Sequence, residues 1–285
     1  MKSVELRIGT GLTLHSERHN GDGELALMAG PAEGPIGTFR YEGERKKPLD
    51  VTFHTAEDRC HFAVVHQGHV LIPHKRLLLA PGSVIKVAGD TQFRVTFSRG
   101  PIQLSLLALD PELTSQLNCS RHEIKSASIY FDPTNMLDEV ILAELLEPAI
   151  SPYRSFGWAL ALVNSPQRVA SIALSRIRVP LPAPLQRLTD SVRAEPNQAW
   201  SLKEASKLVS YSPFHLSRTF RQLAGYGFPD FVDRCRTEMA LKKILADQDE
   251  QIDQVALSSG FGSTQAMRDS FRDYIGFLPS EVRVG

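Results

Sequence analysis

Hydrophobic and polar positions between residues 199 and 283 repeat one helical pattern twice, about fifty residues apart. In the first copy, residues 201–224, Ser201 and Glu204 have the spacing of a helix capping box. Ser212 then provides a second N-cap, and Pro213 takes the first helical position. The pattern predicts a helix-turn-helix motif. Its buried positions are predicted at Leu202, Ala205, Leu208 and Val209 in the first helix and at Leu216, Phe220 and Leu223 in the second.

The second copy, residues 251–274, keeps the spacing of the apolar positions of the first copy better than it keeps the residue types. Gly260 and Phe261 occupy the places of Ser210 and Tyr211, and the turn that follows is one residue longer. The other matched positions are Ile252, Val255 and Ala256 with Leu202, Ala205 and Ser206, and Met267 and Phe271 with Leu216 and Phe220. A glycine ends the second helix of each copy, Gly225 and Gly276, because glycine tolerates the left-handed conformation found there.

Residues 230–246 lie between the copies and contain neither proline nor glycine. They predict one helix, roughly 25 Å long at about 1.5 Å per residue. A rod of this length can hold two recognition helices about one duplex turn apart, roughly 34 Å, which is the separation of successive major grooves on one face of DNA.

The last hundred residues resemble the DNA-binding domain of AraC/XylS-type transcription regulators. The resemblance rests on Leu202, Tyr211, Ser212, Pro213, Leu216, Arg218, Phe220, Arg236, Ala240, Leu245, Ile252, Val255, Ala256, Gly260, Phe261, Phe271, Gly276 and Pro279. It implies that both recognition helices enter the major groove of double-stranded DNA. The residues that it turns toward bases are Phe214, Ser217 and Arg218 in the first helix and Thr264, Gln265 and Arg268 in the second. Arg221 and Arg272 are expected to meet phosphates.

Four positions depart from the pattern of this family. Ser210 replaces the usual glycine of the turn, Pro229 comes one place late, and Val282 stands where tyrosine is usual. Asp269 occupies a position that is commonly basic. Since a carboxylate is repelled by phosphates, although it can accept a hydrogen bond from cytosine N4, the first motif is the stronger candidate for reading bases.

Charge does not by itself indicate a polyanionic partner. The chain has 32 Lys and Arg against 32 Asp and Glu, and the two classes also balance from residue 181 onward. A neutral domain has to concentrate its cations on one face to bind DNA, and the outward Arg218, Arg221, Arg268 and Arg272 are consistent with this. The absence of a signal-like apolar run and of a Cys-x-x-Cys pair favours the cytoplasm, and no membrane partner is expected.

Up to about residue 109, glycines separate the first part of the chain into short segments, as is typical of a β domain. Residues 93–97 alternate as a half-buried strand does, and Gln67 and Gly68 suggest a hairpin between residues 61–65 and 70–72. Many short strands with regular turns favour a barrel or a sandwich. Ahead of a double helix-turn-helix, this arrangement also resembles the cupin-like sensing domain of many AraC-type regulators.

Two amphipathic helices are predicted after the strands, at residues 133–147 and 166–178. They either pair two subunits, as the resemblance implies, or pack within the domain. Pro180, Pro182 and Pro184 then predict an extended linker, and a helix at 185–194 opens the second domain. The fold class is therefore two domains: a mostly β, cupin-like domain with helices at residues 1–180, and an all-α double helix-turn-helix domain at residues 181–285.

The predicted function is a sequence-specific transcription regulator, an activator that works with RNA polymerase, controlled by a small-molecule effector or by homodimerisation. Two alternatives remain, a metal-dependent cupin-type enzyme and a protein-interaction module. The β region contains His54, His61, His66, His69 and His74, yet His61 and His66 would point to opposite faces of one strand, so no metal is predicted. Cys60, His61, Cys119 and His122 could form a thiol sensor or a zinc site, but a small buried side chain is the more frequent role of such cysteines. No nucleotide motif or catalytic elbow occurs, and neither an enzyme nor a cofactor is predicted.

Overall fold

The computed structural model describes residues 3–8, 12–17, 26–29, 36–55, 60–87, 92–109, 128–130, 157 and 174–283. The chain divides into two compact units, residues 1–171 and 172–285. The second unit includes Ser175 and Ile177, which precede the predicted boundary at residue 180. Ile177 packs against the core of the helices that follow, which explains why this stretch belongs with them.

Strands make up the described part of the first unit, together with a short 3-10 helix at Pro73–Lys75. They are β1 (Ser3–Ile8), β2 (Leu12–Glu17), β3 (Ala26–Ala29), β4 (Ile36–Arg45), β5 (Leu49–Thr55), β6 (Cys60–Gln67), β7 (Val70–Ile72), β8 (Leu77–Leu79), β9 (Val84–Val87), β10 (Gln92–Phe97), β11 (Gly100–Leu109) and β12 (Ser128–Tyr130).

These strands form two antiparallel sheets, in the orders β1-β2-β5-β10-β7-β8 and β12-β9-β6-β11-β4-β3. One apolar core joins them, since Val51 and Val95 from the first sheet cluster with Val65 and Leu104 from the second. Strand β10 shows the predicted alternation, with Val95 and Phe97 buried and Arg94 exposed. The structure thus has two antiparallel sheets on a common core. Closure into a cupin-like barrel stays a prediction.

The predicted hairpin at Gln67 and Gly68 is wrong. Strand β6 pairs with β11 and β9, whereas β7 pairs with β10 and β8 in the other sheet. Gly68 adopts a φ of 78°, and a Cβ there would lie 2.3 Å from Ile102 Cδ1. The chain therefore crosses between sheets at this glycine. His69 completes the crossing by exchanging two hydrogen bonds with Ser98, at 2.9 and 3.0 Å.

Seven helices form the described part of the second unit. They are α1 (Ala183–Ala194), α2 (Leu202–Leu208), α3 (Pro213–Ala224), α4 (Phe228–Ala246), α5 (Ile252–Ser258), α6 (Thr264–Tyr274) and α7 (Pro279–Val282). Helix α4 begins two residues before the predicted start at Asp230. The cause is local, because the Asp230 carboxylate accepts a hydrogen bond from the Gly227 N–H at 3.0 Å and caps the earlier turn.

Helix α4 is the spine on which both motifs pack. Its first half joins α1, α2 and α3 in one core, where Phe220 makes edge contacts with Phe228 and Phe231 at centroid distances of 5.6 and 5.4 Å. Helix α4 also contacts α5, α6 and α7, where Ile244, Phe271 and Val282 are buried. A single helix between the two motifs is as predicted from sequence.

The predicted helices of the middle region are only partly open to comparison. Residues 133–147 lie outside the described residues, as do residues 166–173. The predicted helix at 166–178 is wrong in its last part, because residues 174–178 are not helical. Ser175 instead donates its backbone N–H to the Glu238 carboxylate. Pro182 holds a polyproline conformation ahead of α1, but the predicted linker ends earlier than expected, because α1 already begins at Ala183 and contains Pro184 in its first turn.

Candidate nucleic-acid interface

Two serine caps fix the first motif. Ser201 Oγ accepts a hydrogen bond from the Glu204 N–H at 3.1 Å, and Ser212 Oγ accepts one from the His215 N–H at 3.2 Å. The Glu204 carboxylate accepts from the Ser201 hydroxyl at 2.9 Å, so the box closes through the side chain. Both caps are therefore confirmed at the predicted residues. They set the point at which each helix of the motif begins.

The buried face of α2 differs from the prediction at one residue. Ala205 and Val209 are buried, but Leu208 is 64% exposed, and Ser206 is buried in its place. The reason is helical geometry, since residues 205, 206 and 209 share one face and residue 208 lies outside it. Ser206 is tolerated inside because its hydroxyl donates to the Lys203 carbonyl at 2.8 Å.

The turns of the two motifs match bond for bond. Tyr211 N–H donates to the Ser206 carbonyl and Phe261 N–H to the Ala256 carbonyl, both at 3.0 Å. Ser210 and Gly260 hold the left-handed residue of each turn, with φ of 56° and 87°. After the turn, Ser263 Oγ accepts from the Ala266 N–H at 3.1 Å and caps α6 as Ser212 caps α3. The doubled motif and its longer second turn are both present.

Helix α3 presents a polar and cationic face with one aromatic ring. Phe214 is 77% exposed, and Arg218 and Arg221 are exposed, whereas Ser217 is half-buried. Leu216 and Phe220, on the opposite face, are fully buried. All four predicted site residues of this helix thus lie on one side, away from the core. No carboxylate occurs within Pro213–Ala224, so the face carries net positive charge.

Two further exposed residues of α3 flank this face and were not predicted. His215 and Gln222 are exposed on α3. The imidazole of His215 makes an edge contact with Tyr211 at a centroid distance of 4.5 Å. The sequence contained the signal, because the buried stripe of Leu216 and Phe220 leaves both positions outward at helical spacing. Both side chains offer hydrogen-bonding groups to a ligand on this face.

Helix α6 also turns its predicted residues outward, but carboxylates engage several of them. Gln265 Nε2 donates to Asp269 Oδ1 at 2.9 Å, and Arg272 forms an ion pair with the same oxygen at 3.5 Å. Thr264 Oγ1 donates to Asp253 Oδ1 at 2.6 Å. Arg268 is exposed, and Asp273 adds a second carboxylate to the helix. The helix is therefore neutral, in contrast to α3.

The described residues add two observations about other partners and ligands. Among them, no helix is both long enough and apolar enough to cross a membrane. They also contain no group of three or more His, Cys, Asp or Glu side chains that could hold a metal ion. The side chains of His54 and Cys60 and the whole of Cys119 and His122 lie outside this description.

The helical unit matches a known family over most of its length. Residues 205–284 match the family described as "Helix-turn-helix domain". The C-terminal unit is an AraC-type helix-turn-helix domain. The match begins inside α2 and continues past α7, so it includes most of the first motif, the spine and the whole second motif.

Curated relatives match about a third of this chain. An uncharacterised HTH-type transcriptional regulator of Staphylococcus aureus strain MSSA476 is 31% identical over 99 residues, which are 35% of this chain and 13% of the relative. The uncharacterised transcriptional regulatory protein YesN of Bacillus subtilis strain 168 is 34% identical over 89 residues, which are 30% of this chain and 24% of YesN. The chain thus spans about a quarter or less of the length of these two relatives.

Among solved structures, one with a likeness to this chain is ToxT from Vibrio cholerae. The likeness to ToxT has a TM-score of 0.34 and 15% sequence identity, and it covers 88% of this chain and all of ToxT.

Proposed function

We propose that this chain is a sequence-specific transcription regulator whose helices α3 and α6 enter successive major grooves of double-stranded DNA. The observation that carries the proposal is the outward face of α3, where Phe214, Arg218 and Arg221 lie together opposite a fully buried stripe. An exposed phenylalanine can contact a thymine methyl group, and a guanidinium can bind the O6 and N7 atoms of guanine. The AraC-type domain supports the same reading.

The spine supports the two-headed arrangement of the proposal. Helix α4 has 19 residues and is about 28 Å long at about 1.5 Å per residue. This is close to the roughly 34 Å that separates half-sites on one DNA face. In this proposal Ser217, Arg218, Thr264, Gln265 and Arg268 read bases together with Phe214. Arg221 and Arg272 contact phosphates.

The proposal also assigns unequal roles to the two recognition helices, α3 and α6. Helix α3 carries two arginines and no carboxylate of its own. On α6, by contrast, Asp269 binds both Gln265 and Arg272. Affinity for the DNA backbone therefore comes mainly from α3, since cations on the protein gain affinity by releasing counterions from phosphates. Helix α6 contributes by adding a second half-site.

The N-terminal unit is proposed to regulate the reader, that is, the C-terminal helical unit that binds DNA. Its two sheets have their own core, so it can bind a small-molecule effector or a second copy of the chain without involving the helices. Either event shifts the population of reader conformations that bind DNA, and as an activator the DNA-bound chain contacts RNA polymerase.

Selection of duplexes from a random DNA pool by the full chain tests the function. The proposal predicts enrichment of one site with two half-sites about 10 base pairs apart. Arg218→Ala is expected to weaken binding to the enriched duplex by about 1 to 3 kcal/mol and to relax the preferred base at one position. Glu195→Gln, an exposed change between α1 and α2, is the control. A pool that stays random after selection would reject the proposal.

A further inference from the structure

One arginine of the spine touches the ends of both recognition helices. The guanidinium carbon of Arg234 lies 4.5 Å from the ring centroid of Tyr226 and 4.5 Å from that of Tyr274. Tyr226 follows Gly225, the left-handed residue that ends α3, and Tyr274 is the last residue of α6. A single cation therefore joins the two helices at the ends where each leaves its motif.

The same guanidinium also holds the segment that enters the AraC-type domain. Arg234 Nη1 donates to the Leu174 carbonyl at 3.2 Å. The next residue, Ser175, is buried, and its carbonyl accepts from Arg193 Nη2 at 3.0 Å. Its N–H and hydroxyl donate to the Glu238 carboxylate. The segment that precedes α1 is thus bound, at Leu174, by the same guanidinium that contacts the ends of α3 and α6.

The surroundings make this contact strong. Arg234 Nε and the Tyr226 hydroxyl are both buried and make no hydrogen bond to the described residues, so the rings are the main partners of that edge of the guanidinium. A cation over an aromatic face gains more when water is excluded. Burial also raises the pKa of Tyr226, so its ring stays neutral.

A second arginine holds the opposite junction and keeps the fold independent of Arg234. Arg236 donates to the Pro196 and Gln198 carbonyls at 3.0 and 3.1 Å, in the loop that packs against Gly260. Arg234 reaches the core around Phe220 through the partly buried Tyr226, whose ring contacts Phe220 edge-on at a centroid distance of 6.5 Å. The fully buried residues of that core are apolar and pack on one another, so replacing Arg234 is expected to leave both motifs folded.

We propose that Arg234 is a positioning residue that holds the ends of α3 and α6 in one arrangement, and that it thereby sets the half-site spacing that the chain accepts. This inference rests on the proposed function for its consequence on DNA, whereas the clamp itself is a property of the free protein. Arg234 also binds the Leu174 carbonyl, so a displacement of the preceding chain acts on both recognition helices together.

The DNA test compares Arg234→Met with Lys242→Met in the full chain. Met keeps an unbranched stem but has no cation, and Lys242 is an exposed cation of the same helix. The probes are a duplex enriched by the wild-type chain, the same duplex with one base pair added or removed between half-sites, and one half-site alone. We expect the wild type and Lys242→Met to lose about tenfold in affinity on the altered spacings, a difference of about 1.4 kcal/mol. Arg234→Met is expected to lose less than about threefold on them and to bind the single half-site like the wild type. Equal loss on every duplex, with the spacing ratio unchanged, would mean a merely structural role and overturn the proposal.

Amide hydrogen exchange of the free full chain tests the clamp without DNA. Arg234→Met is expected to accelerate exchange at residues 225–227 and at residues 274–276, and Lys242→Met at neither. Acceleration at one end only, or at neither, would refute the clamp. If the wild type selects no duplex while both ends accelerate, the clamp stands and the proposed DNA function fails, so the two failures are distinguishable.

Discussion

At the scale of single residues, the two turns solve one backbone problem with different amino acids. Ser210 and Gly260 occupy equivalent left-handed positions, yet a Cβ at Gly260 would lie 2.5 Å from the Asn197 Cα. Gly260 is thus required by both its φ angle and the close approach of another backbone. Ser210 has only the conformational cost to bear, which explains how the first turn tolerates a departure from the family pattern.

This difference predicts opposite effects of two substitutions. Ser210→Gly is expected to raise the free energy of unfolding of the helical unit by up to about 1 kcal/mol, because a left-handed residue other than glycine costs roughly 1 to 2 kcal/mol and glycine gives part of this back in entropy. Gly260→Ala is expected to lower it by more than about 2 kcal/mol, since a backbone atom must move as well. Urea unfolding followed by helical circular dichroism measures both. Equal effects at the two sites would contradict the account.

Asp269 is the residue that most clearly separates the two reading heads. It accepts from Gln265 and pairs with Arg272 on the face that would meet DNA. Asp269→Asn is expected to increase affinity for all duplexes and to steepen the dependence on salt by about one counterion, because Arg272 is released and one repulsive charge is removed.

Binding to a random-sequence duplex over a series of salt concentrations checks this expectation, with Asp249→Asn, an exposed carboxylate outside both motifs, as the matched control. An unchanged salt slope in Asp269→Asn would place Asp269 away from the phosphates.

Buried cysteine chemistry also follows at this scale. Burial raises the pKa of Cys235 to about 12, and its side chain is 3% exposed. Its thiolate is therefore scarce at neutral pH, and thiols react as thiolates.

At the scale of elements, local signals predicted the helices and failed where a distant partner decides. Ser212 followed by Pro213 predicts the start of α3 because the cap lies within four residues of its donor. The supposed hairpin at Gly68 fails because Ser98, 29 residues away, pairs with His69 and draws the chain into the other sheet. The supposed helix through Arg178 fails in the same way, since Glu238 binds the backbone of Ser175.

The bond between Glu238 and the entering segment predicts a pH dependence of the helical unit. Burial raises the pKa of Glu238 above the ordinary 4.5, although the bonds from Ser175 and the charges of Lys242 and Arg193 oppose this. A carboxyl group with a raised folded pKa favours folding while it is protonated. Its contribution is therefore complete below the ordinary pKa and is lost as pH rises through the folded value.

Glu238→Gln stays neutral, so its stability relative to the wild type is expected to rise with pH across that window. Urea unfolding at a series of pH values from below the ordinary carboxyl pKa to neutrality measures the difference. Glu195→Gln, an exposed change of the same kind, is expected to run parallel to the wild type. A constant difference between Glu238→Gln and the wild type would contradict the raised pKa.

Arg234 lies beyond what a sequence pattern can predict. No sequence spacing connects Arg234 with Tyr226, Tyr274 and Leu174, because these contacts form only after both motifs have packed on α4. The outward residues of α3 were predictable for the opposite reason, since helical spacing alone separates them from Leu216 and Phe220.

At the scale of the whole molecule, the chain combines a β unit of two sheets with a helical unit that carries two recognition helices. If the β unit binds an effector that controls the reader, the affinity of the full chain for its enriched duplex is expected to change when the effector is added. The duplex must change effector affinity by the same factor. Paired titrations measure both quantities. If every compound that binds leaves DNA affinity unchanged, dimerisation remains as the role of the unit.

The central claim is that α3 and α6 read different halves of one DNA site. The most direct measurement is the affinity of the wild-type chain, Arg218→Ala and Arg268→Ala for every single-base variant of the enriched duplex. The account predicts that each substitution removes discrimination of about 1 to 3 kcal/mol within one half-site, and that the two affected half-sites lie about 10 base pairs apart. Uniform weakening of all duplexes by both variants, or loss at the same bases, would contradict it.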